Sequence, residues 1–388
     1  VQILQMNLQL YPLSISFCCA LLLISLLEVP VSCGKICVEA EESGNEAGVL
    51  SLLQTSLGID NALKTPTLLD RDVGEASAEA QNLCLMSSNG TWHLAPEWLL
   101  IGAQKAATTS FWEMFHRHEN VVAPIRPAGK NHKELHVFDK PWHFLNSSQN
   151  SQNDFQNGKD SWLNLYPLQD ANCSPSTRLV ATDATPAYSR KSTVYPVAEN
   201  IKSYYQESSS LIKFGMILRD PIERIHSAFY FIGNIRECPL LSNISFKQYV
   251  VHMLSGSDPC NLLRSTDYPK QLESFFDHFS PSQFTIYTYQ DIISPEKGPA
   301  HVIALWRRLG LPSADPPKAE DANPTQHASL EDDLDTDVMV SFKAFIARTV
   351  DAEAVAKVLT QKKERPILAG YDGAGDMESV AKWLTDRW

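Results

Sequence analysis

From Glu97 onward the sequence alternates short apolar runs with amphipathic stretches of helical period. Short apolar runs are typical of strands buried on both faces, and the intervening stretches are long enough for helical crossovers. This alternation predicts an α/β fold with a mainly parallel central sheet flanked by helices. The predicted strands are Trp98–Ile101, Leu179–Thr182, Phe214–Leu218 and Phe284–Tyr287. The predicted helices are Thr109–His116, Pro221–Phe231, Tyr268–Phe279 and Ala300–Leu309.

The chain before Glu97 has a different composition. Residues 1–33 contain the uncharged run LYPLSISFCCALLLISLL, which is close to the length of a membrane span. This segment is predicted to be a signal anchor or a cleaved signal peptide. Residues 34–96 are acidic, rich in Ser and Ala, and irregular, which predicts a stem. The remaining predicted parts are a core at 97–312, an acidic linker or insertion at 313–337, and a C-terminal helical part of the same domain at 338–388.

Charge and cysteine usage narrow the class of protein. The formal net charge of -12 disfavours a general nucleic-acid binder, which needs a basic face to neutralise phosphates. No two cysteines have the two-residue spacing of a zinc site, so disulfides are predicted instead, with Cys238 and Cys260 as the first pair to test, and no metal is expected. Together with the apolar N-terminal run, four sequons favour the secretory lumen. They are at Asn89, Asn146, Asn172 and Asn243.

The segment WLLIGAQKAATTSFWEMF, residues 98–115, is predicted to form a strand, a turn of small residues and a helix. Small residues allow the backbone to approach an anion, and the N–H groups and dipole of the helix start favour negative charge. The order of residues differs from the nucleoside-triphosphatase loop, which ends in Gly-Lys-Ser/Thr, so a kinase or GTPase is disfavoured. The predicted phosphate-binding residues are Lys105, Ala106, Ala107, Thr108, Thr109 and Ser110.

A second candidate phosphate site lies in KFGMILRDPIERIHSAFYF, residues 213–231. Asp220 and Pro221 are typical of a helix N-cap and first turn. Arg219 leaves the end of the preceding strand and Ser227 lies about two turns into the helix, so both are predicted to reach one phosphate at the sheet edge. The alternative interpretation is a capped helix with a surface ion pair.

The segment KNHKELHVFDK, residues 130–140, carries candidate acid–base residues. In a strand, Glu134 and His136 would share one face and line a cleft, while Leu135 and Val137 would face the core. A carboxylate within hydrogen-bond reach can take the proton from an attacking hydroxyl group, and His136 is the competing base. The alternative is a surface Glu and His near a strand end.

These three segments resemble the motifs of PAPS-dependent sulfotransferases, where PAPS is 3'-phosphoadenosine 5'-phosphosulfate, and especially the Golgi carbohydrate sulfotransferases. IGAQKAATTSFW resembles the 5'-phosphosulfate loop, and the spacing of Arg219 and Ser227 resembles the 3'-phosphate motif. KELHVFD resembles the Lys-Glu-Pro-His-Phe-Phe-Asp segment of heparan sulfate sulfotransferases, whose Glu is the proposed general base. The resemblance implies a P-loop-like sulfotransferase fold with Glu134 as the base, and with Lys105 and Lys133 stabilising the leaving charge.

The resemblance extends to the acceptor but has gaps. ATDATPAYS, residues 181–189, resembles an acceptor-cleft segment, which implies acceptor contacts from Asp183 and Tyr188 beside Lys133 and His136. Ala107 replaces a common Gly, which implies a slightly different backbone approach to the sulfate. Ala184 replaces a Lys, which suggests an acceptor less anionic than heparan sulfate. The Lys-Gly-Arg loop that closes over PAPS has no clear counterpart. Candidate substitutes, or simply a solvated helix end, are Lys362, Lys363 and Arg365.

The expected function is therefore PAPS-dependent sulfation of a glycan or proteoglycan in the Golgi lumen, with PAPS as co-substrate and no nucleic-acid partner. The expected topology is that of a single-pass type II membrane protein, or of a secreted or lumenal protein after signal cleavage. Two alternatives remain open: a nucleotide kinase-like P-loop enzyme, and a non-catalytic relative that binds 3'-phosphoadenosine 5'-phosphate (PAP).

Overall fold

The computed structural model describes residues 81–125, 133–139, 158–170, 173, 177–190, 196–235, 237–315, 328–373 and 376–388. All of them belong to one compact unit, Asp72–Trp388. The predicted targeting segment at 1–33, most of the predicted stem, and the sequons at Asn146 and Asn172 lie outside the described residues. Among the helices of the described ranges, none is both long and apolar enough to cross a membrane.

Within the described ranges, nine strands form two sheets. They are β1 (Cys84–Met86), β2 (Trp92–Leu94), β3 (Pro96–Gly102), β4 (Val121–Val122), β5 (Leu168–Gln169), β6 (Val180–Asp183), β7 (Lys213–Leu218), β8 (Phe284–Thr288) and β9 (Ile367–Leu368). The central sheet has six strands in the order β4-β6-β3-β7-β8-β9, and every neighbouring pair is parallel. The predicted α/β class with a parallel central sheet is therefore confirmed. The second sheet, β1-β2-β5, is small and antiparallel.

Helices follow the strands as the alternation predicts. They are α1 (Thr108–Phe115), α2 (Val197–Tyr205), α3 (Pro221–Asn234), α4 (Phe246–Leu254), α5 (Tyr268–Phe276), α6 (Tyr289–Ile293), α7 (Lys297–Arg308), α8 (Leu330–Asp333), α9 (Thr336–Thr349), α10 (Ala352–Thr360) and α11 (Met377–Thr385). The four predicted strands and four predicted helices all occur, with ends that differ by a few residues.

The core is built around the two central strands, β3 and β7. Trp98, Leu99 and Leu100 of β3 are fully buried, as expected of a strand covered on both faces. Gly215 of β7 faces Trp98 so closely that a Cβ there would lie 2.9 Å from the indole ring. Glycine therefore lets these two strands carry a large aromatic side chain between them. The close pairing fixes the relative position of the loops that leave their C-terminal ends.

Two predicted segment boundaries are corrected by the structure. The stem predicted for 34–96 does not extend to residue 96, because β1 and β2 form a sheet and Leu94 is fully buried in the core. The acidic linker predicted for 313–337 does not extend to residue 337, because α8 and the start of α9 lie within it and Leu334 is buried. In both cases a few apolar residues within a polar stretch bury enough surface to anchor it.

Two disulfides occur among the described residues. The predicted pair, Cys238 with Cys260, is formed and joins the chain after α3 to the chain after α4. Cys84 is bonded to Cys173, which ties β1 to the loop after β5. Cross-links of this kind stabilise a fold mainly by restricting the unfolded chain.

Candidate active site

The loop between β3 and α1 presents an uncapped helix start. Lys105 and Ala107 both have φ in the left-handed region, at 68° and 60°. Ala107 occupies the N-cap position of α1 and has no side chain able to bond the first helical N–H groups. In α3, by contrast, the Asp220 carboxylate accepts a hydrogen bond from the Glu223 N–H at 2.8 Å, as predicted for a cap. The α1 start therefore leaves N–H donors for an anion.

The two predicted phosphate motifs meet at one edge of the sheet. β3 and β7 are parallel neighbours, and the Ala103 N–H donates to the Ile217 carbonyl at 2.9 Å where both strands end. Beyond this point, Nη1 of Arg219 donates to the main-chain oxygen of Lys105 at 2.9 Å. The two cationic residues therefore lie side by side, at the carboxyl end of the strands where parallel sheets bind ligands.

The Arg219 guanidinium has further partners in this structure. Its Nη2 lies 3.2 Å from the Glu223 carboxylate, and its central carbon lies 4.2 Å from the centre of the Tyr289 ring. The capped helix with an ion pair, which was the alternative interpretation of this motif, is thus also present. The Glu223 side chain is 44% exposed. A phosphate that binds Arg219 competes with this accessible carboxylate for the same donors.

The Lys105 ammonium lies 4.4 Å from the centre of the Phe231 ring in α3. Burial, followed by the charges of Arg219 and Lys133, lowers the pKa of Lys105 to about 8. Three cationic side chains therefore converge here and repel one another. A ligand with several negative charges would relieve this repulsion.

Lys133 connects the loop between β3 and α1, here called the phosphate loop, to the candidate base, Glu134. Its side chain is buried, and its ammonium donates to the hydroxyl groups of Thr108 and Thr109, each at 3.2 Å. The same ammonium donates to the Glu134 carboxylate at 2.9 Å. Burial lowers the pKa of Lys133, whereas the charge of Glu134 acts in the opposite direction. One cation thus holds the first turn of α1 to residues 133–139, here called the base segment.

Glu134 and His136 come together, but not in the strand that we predicted. Residues 134–136 have no regular secondary structure, and His136 has a φ of 55°, which turns the chain there. The Glu134 carboxylate nevertheless lies 3.4 Å from Nε2 of His136. Nδ1 of His136 lies 2.8 Å from the Asp139 carboxylate, a partner that the sequence reasoning missed. A carboxylate three residues after a candidate histidine was the available signal.

These contacts determine the charge of Glu134. Burial alone would raise the pKa of the carboxyl group. The hydrogen bond from His136 and the charge of Lys133 outweigh burial and lower the pKa of Glu134 to about 2. The group is therefore ionised throughout the physiological pH range.

Asp183 and Tyr188 lie behind the base segment, and their expected contact with the acceptor remains a prediction. Both are buried, and the Asp183 carboxylate accepts hydrogen bonds from the hydroxyl groups of Thr185 and Tyr188, each at 2.7 Å. The Thr185 hydroxyl accepts from the Leu135 N–H at 2.9 Å, and the Tyr188 hydroxyl accepts from the Val137 N–H at 3.0 Å. Asp183 thus organises the two hydroxyl groups that hold the base segment in place.

For three other predicted residues, the structure gives a position but, within the described ranges, no polar contact with the candidate site. Ser227 is buried in α3, so its predicted contact with the same phosphate as Arg219 remains a prediction. Lys362 and Lys363 are exposed beyond the end of α10. Across the described ranges, no group of three or more His, Cys, Asp and Glu side chains has the arrangement of a metal site.

Comparison with known proteins finds structural similarity but no matching family. No protein-family model matches the sequence. The fold is similar to a solved structure described as the crystal structure of sulfotransferase from Alicyclobacillus acidocaldarius, with a TM-score of 0.45 and 17% sequence identity. The match covers 69% of this chain and 97% of that chain. The function of the present chain is therefore inferred from its own residues.

Proposed function

We propose that this chain is a sulfotransferase that transfers a sulfuryl group from PAPS to a hydroxyl group of a carbohydrate acceptor. The observation that supports this most directly is the hydrogen bond from Arg219 to the main chain of Lys105, which brings two anion-binding motifs to one sheet edge. PAPS carries anionic groups at both its 5' and its 3' positions. Two adjacent cationic motifs suit such a nucleotide better than one with phosphates on a single side.

At the donor end, the uncapped start of α1 and Lys105 receive the 5'-phosphosulfate. Arg219 binds the 3'-phosphate, and its ion pair with the Glu223 carboxylate breaks as it does so. As the S–O bond to the nucleotide breaks, negative charge grows on the departing phosphate oxygen, and the ammonium groups of Lys105 and Lys133 stabilise it. Lys133 is already held beside the loop by Thr108 and Thr109.

At the acceptor end, the hydroxyl oxygen forms a bond to sulfur while its proton passes to a base of the enzyme. Glu134 is ionised and accessible enough for this role, with 27% of its side chain exposed. His136 is the second candidate base, because it is oriented by Asp139 and contacts Glu134. PAP and the sulfated acceptor then leave.

The cellular location that we propose is the Golgi lumen, with residues 1–33 as a type II signal anchor, or as a signal peptide cleaved from a lumenal or secreted protein. The two disulfides support an oxidising compartment. The sequons at Asn89 and Asn243 lie on exposed residues, as glycan attachment requires.

The test is transfer of labelled sulfate from PAPS by the full chain to a panel of native and desulfated glycans. We expect label in at least one carbohydrate and thermal stabilisation of the protein by PAP. Stabilisation by ATP with magnesium but not by PAP would instead select a nucleotide kinase-like enzyme. Stabilisation by PAP without transfer to any acceptor would select a non-catalytic PAP-binding protein.

A further inference from the structure

Two arginine side chains that were not among the predicted site residues have buried nitrogen atoms without hydrogen-bond partners among the described residues. Arg224, on α3, is 1% exposed, and its Nε and Nη1 atoms are unsatisfied. Arg190 follows the turn Pro186–Ser189, and its Nε and Nη2 atoms are unsatisfied. A buried guanidinium nitrogen without a partner lowers the stability of the fold, because its hydrogen bonds to water are lost on folding and are not replaced.

Both arginines lie near the candidate active site. Ser189 packs so closely on Gly102, the last residue of β3, that a Cβ at Gly102 would be 2.8 Å from the Ser189 Cβ. Arg190 therefore leaves this turn beside the strand end from which the Lys105 loop departs. Arg224 lies three residues before Ser227, and residues at this spacing share a helix face.

Charges of both signs surround the two guanidinium groups. Burial is the largest effect on Arg224 and lowers its pKa to about 10; the charges of Arg190 and Arg219 act in the same direction, whereas Tyr268 and Asp258 act in the opposite direction. Arg190 is also desolvated, and the carboxylates nearest to its charge are Glu237, Asp139 and Glu134. None of these carboxylates bonds the unsatisfied nitrogens. The arrangement therefore has spare donors and mutual repulsion at the same place.

We propose that Arg190 and Arg224 together form a binding site for one tetrahedral oxyanion ester, a phosphate or a sulfate. Two guanidinium groups supply the planar paired donors that such anions bind best. The proposed function offers two sources of this group, and the inference rests on that function only for the choice between them. One source is the 3'-phosphate of the nucleotide, and the other is an ester sulfate already present on the acceptor.

The first experiment is independent of the proposed function. Thermal unfolding of the full chain is measured in chloride and in sulfate at equal ionic strength, for the wild type, Arg190→Ala and Arg224→Met. Methionine approximates the arginine stem and so limits cavity formation. The control is Arg307→Ala, at an exposed position of α7. In chloride, we expect Arg190→Ala to be as stable as the wild type or more stable, because it removes repulsion.

In sulfate, we expect the stabilisation seen in the wild type and in the Arg307→Ala control to be reduced in both site variants. An arginine with a purely structural role would give the opposite pattern, with lower stability in chloride and an unchanged response to sulfate. That pattern in both variants would overturn the proposal.

The second experiment identifies the source. If the 3'-phosphate is the ligand, both site variants weaken PAP binding about 10- to 100-fold and leave 5'-AMP binding unchanged. If an acceptor sulfate is the ligand, PAP binding is unchanged and KM rises for the sulfated acceptor but not for its desulfated form. Variants that match the wild type with sulfate, PAP and both acceptors would refute the site. A wild type that neither binds PAP nor transfers sulfate would refute the proposed function alone.

Discussion

The Arg219 guanidinium and the main-chain oxygen of Lys105 are joined by a hydrogen bond of 2.9 Å across 114 residues of sequence. This contact makes the position of the phosphate loop dependent on the residue that follows β7. The Lys105 side chain itself lies against α3, where its ammonium faces the Phe231 ring. The two motifs therefore form one structural unit, and a change in either residue is expected to affect the whole of it.

We expect Arg219→Ala to weaken PAP binding about 10- to 100-fold, because charged hydrogen bonds to the 3'-phosphate are lost. Glu223→Gln should act in the opposite direction and tighten binding about two- to fivefold, because an exposed competing carboxylate is removed. Isothermal titration with PAP measures both. If Glu223→Gln weakened binding, the carboxylate would orient Arg219 for the ligand instead of competing for it.

Glu134→Gln is expected to lower kcat about 100- to 10,000-fold and to leave PAP affinity within about twofold of the wild type. The reason is that the amide keeps the size of the side chain but cannot take a proton. Single-turnover sulfate transfer and PAP titration on the same preparation separate the two effects.

The pH profile distinguishes the two candidate bases. With a pKa of about 2, Glu134 stays ionised, so its use as the base predicts a kcat without an acid limb down to about pH 4. A loss of kcat on acidification through neutral pH, absent from His136→Gln, would assign the base to His136 instead.

Lys105 is expected to set the alkaline limit of the reaction. Its pKa is lowered to about 8, so the ammonium is present below that pH and is lost as the pH rises through it. Because kcat/KM reports groups of the free enzyme, we expect kcat/KM to fall above about pH 8. Lys105→Arg keeps its charge at high pH, and its profile should stay level there even if its activity is lower. An alkaline limb that persists in Lys105→Arg would belong to another group.

Tyr188→Phe tests whether the buried network positions the base segment. The change leaves the Val137 N–H and one Asp183 oxygen without their partner, which should lower the free energy of unfolding by about 1–3 kcal/mol. We also expect a lower kcat with unchanged PAP affinity. The matched control is Tyr205→Phe, which removes a buried hydrogen bond to the Pro96 carbonyl. A purely structural role for Tyr188 would make the two variants equally active at equal stability.

The sequence was sufficient for the sheet but not for the segment around the candidate base. β3 and β7 could be predicted because a strand buried on both faces is encoded by a short continuous run of apolar residues. The conformation at His136, with its positive φ, could not be predicted, because the N–H groups of His136 and Val137 donate hydrogen bonds to the hydroxyl groups of Thr185 and Tyr188, about 50 residues away. The same long-range contacts buried Asp183 and Tyr188, which the motif alone had suggested for the acceptor.

Ala107 provides a test of the phosphate loop itself. At a φ of 60° an alanine is strained by its Cβ, whereas glycine is not, so Ala107→Gly should raise the free energy of unfolding by up to about 1 kcal/mol. The matched control is Ala106→Gly, at a fully buried neighbour outside the left-handed region, where the loss of the methyl group and the added backbone freedom should cost about 1 kcal/mol or more. Urea denaturation measures both changes.

The two glycine variants also separate backbone shape from side-chain chemistry in nucleotide binding. Because Ala107→Gly keeps the left-handed turn that opens the start of α1, we expect PAP affinity to stay within about threefold of the wild type. If Ala107→Gly proved as destabilising as Ala106→Gly, the left-handed turn would not be the conformation of the loop in solution. The uncapped helix start, on which the proposed binding of the 5'-phosphosulfate depends, would then be lost with it.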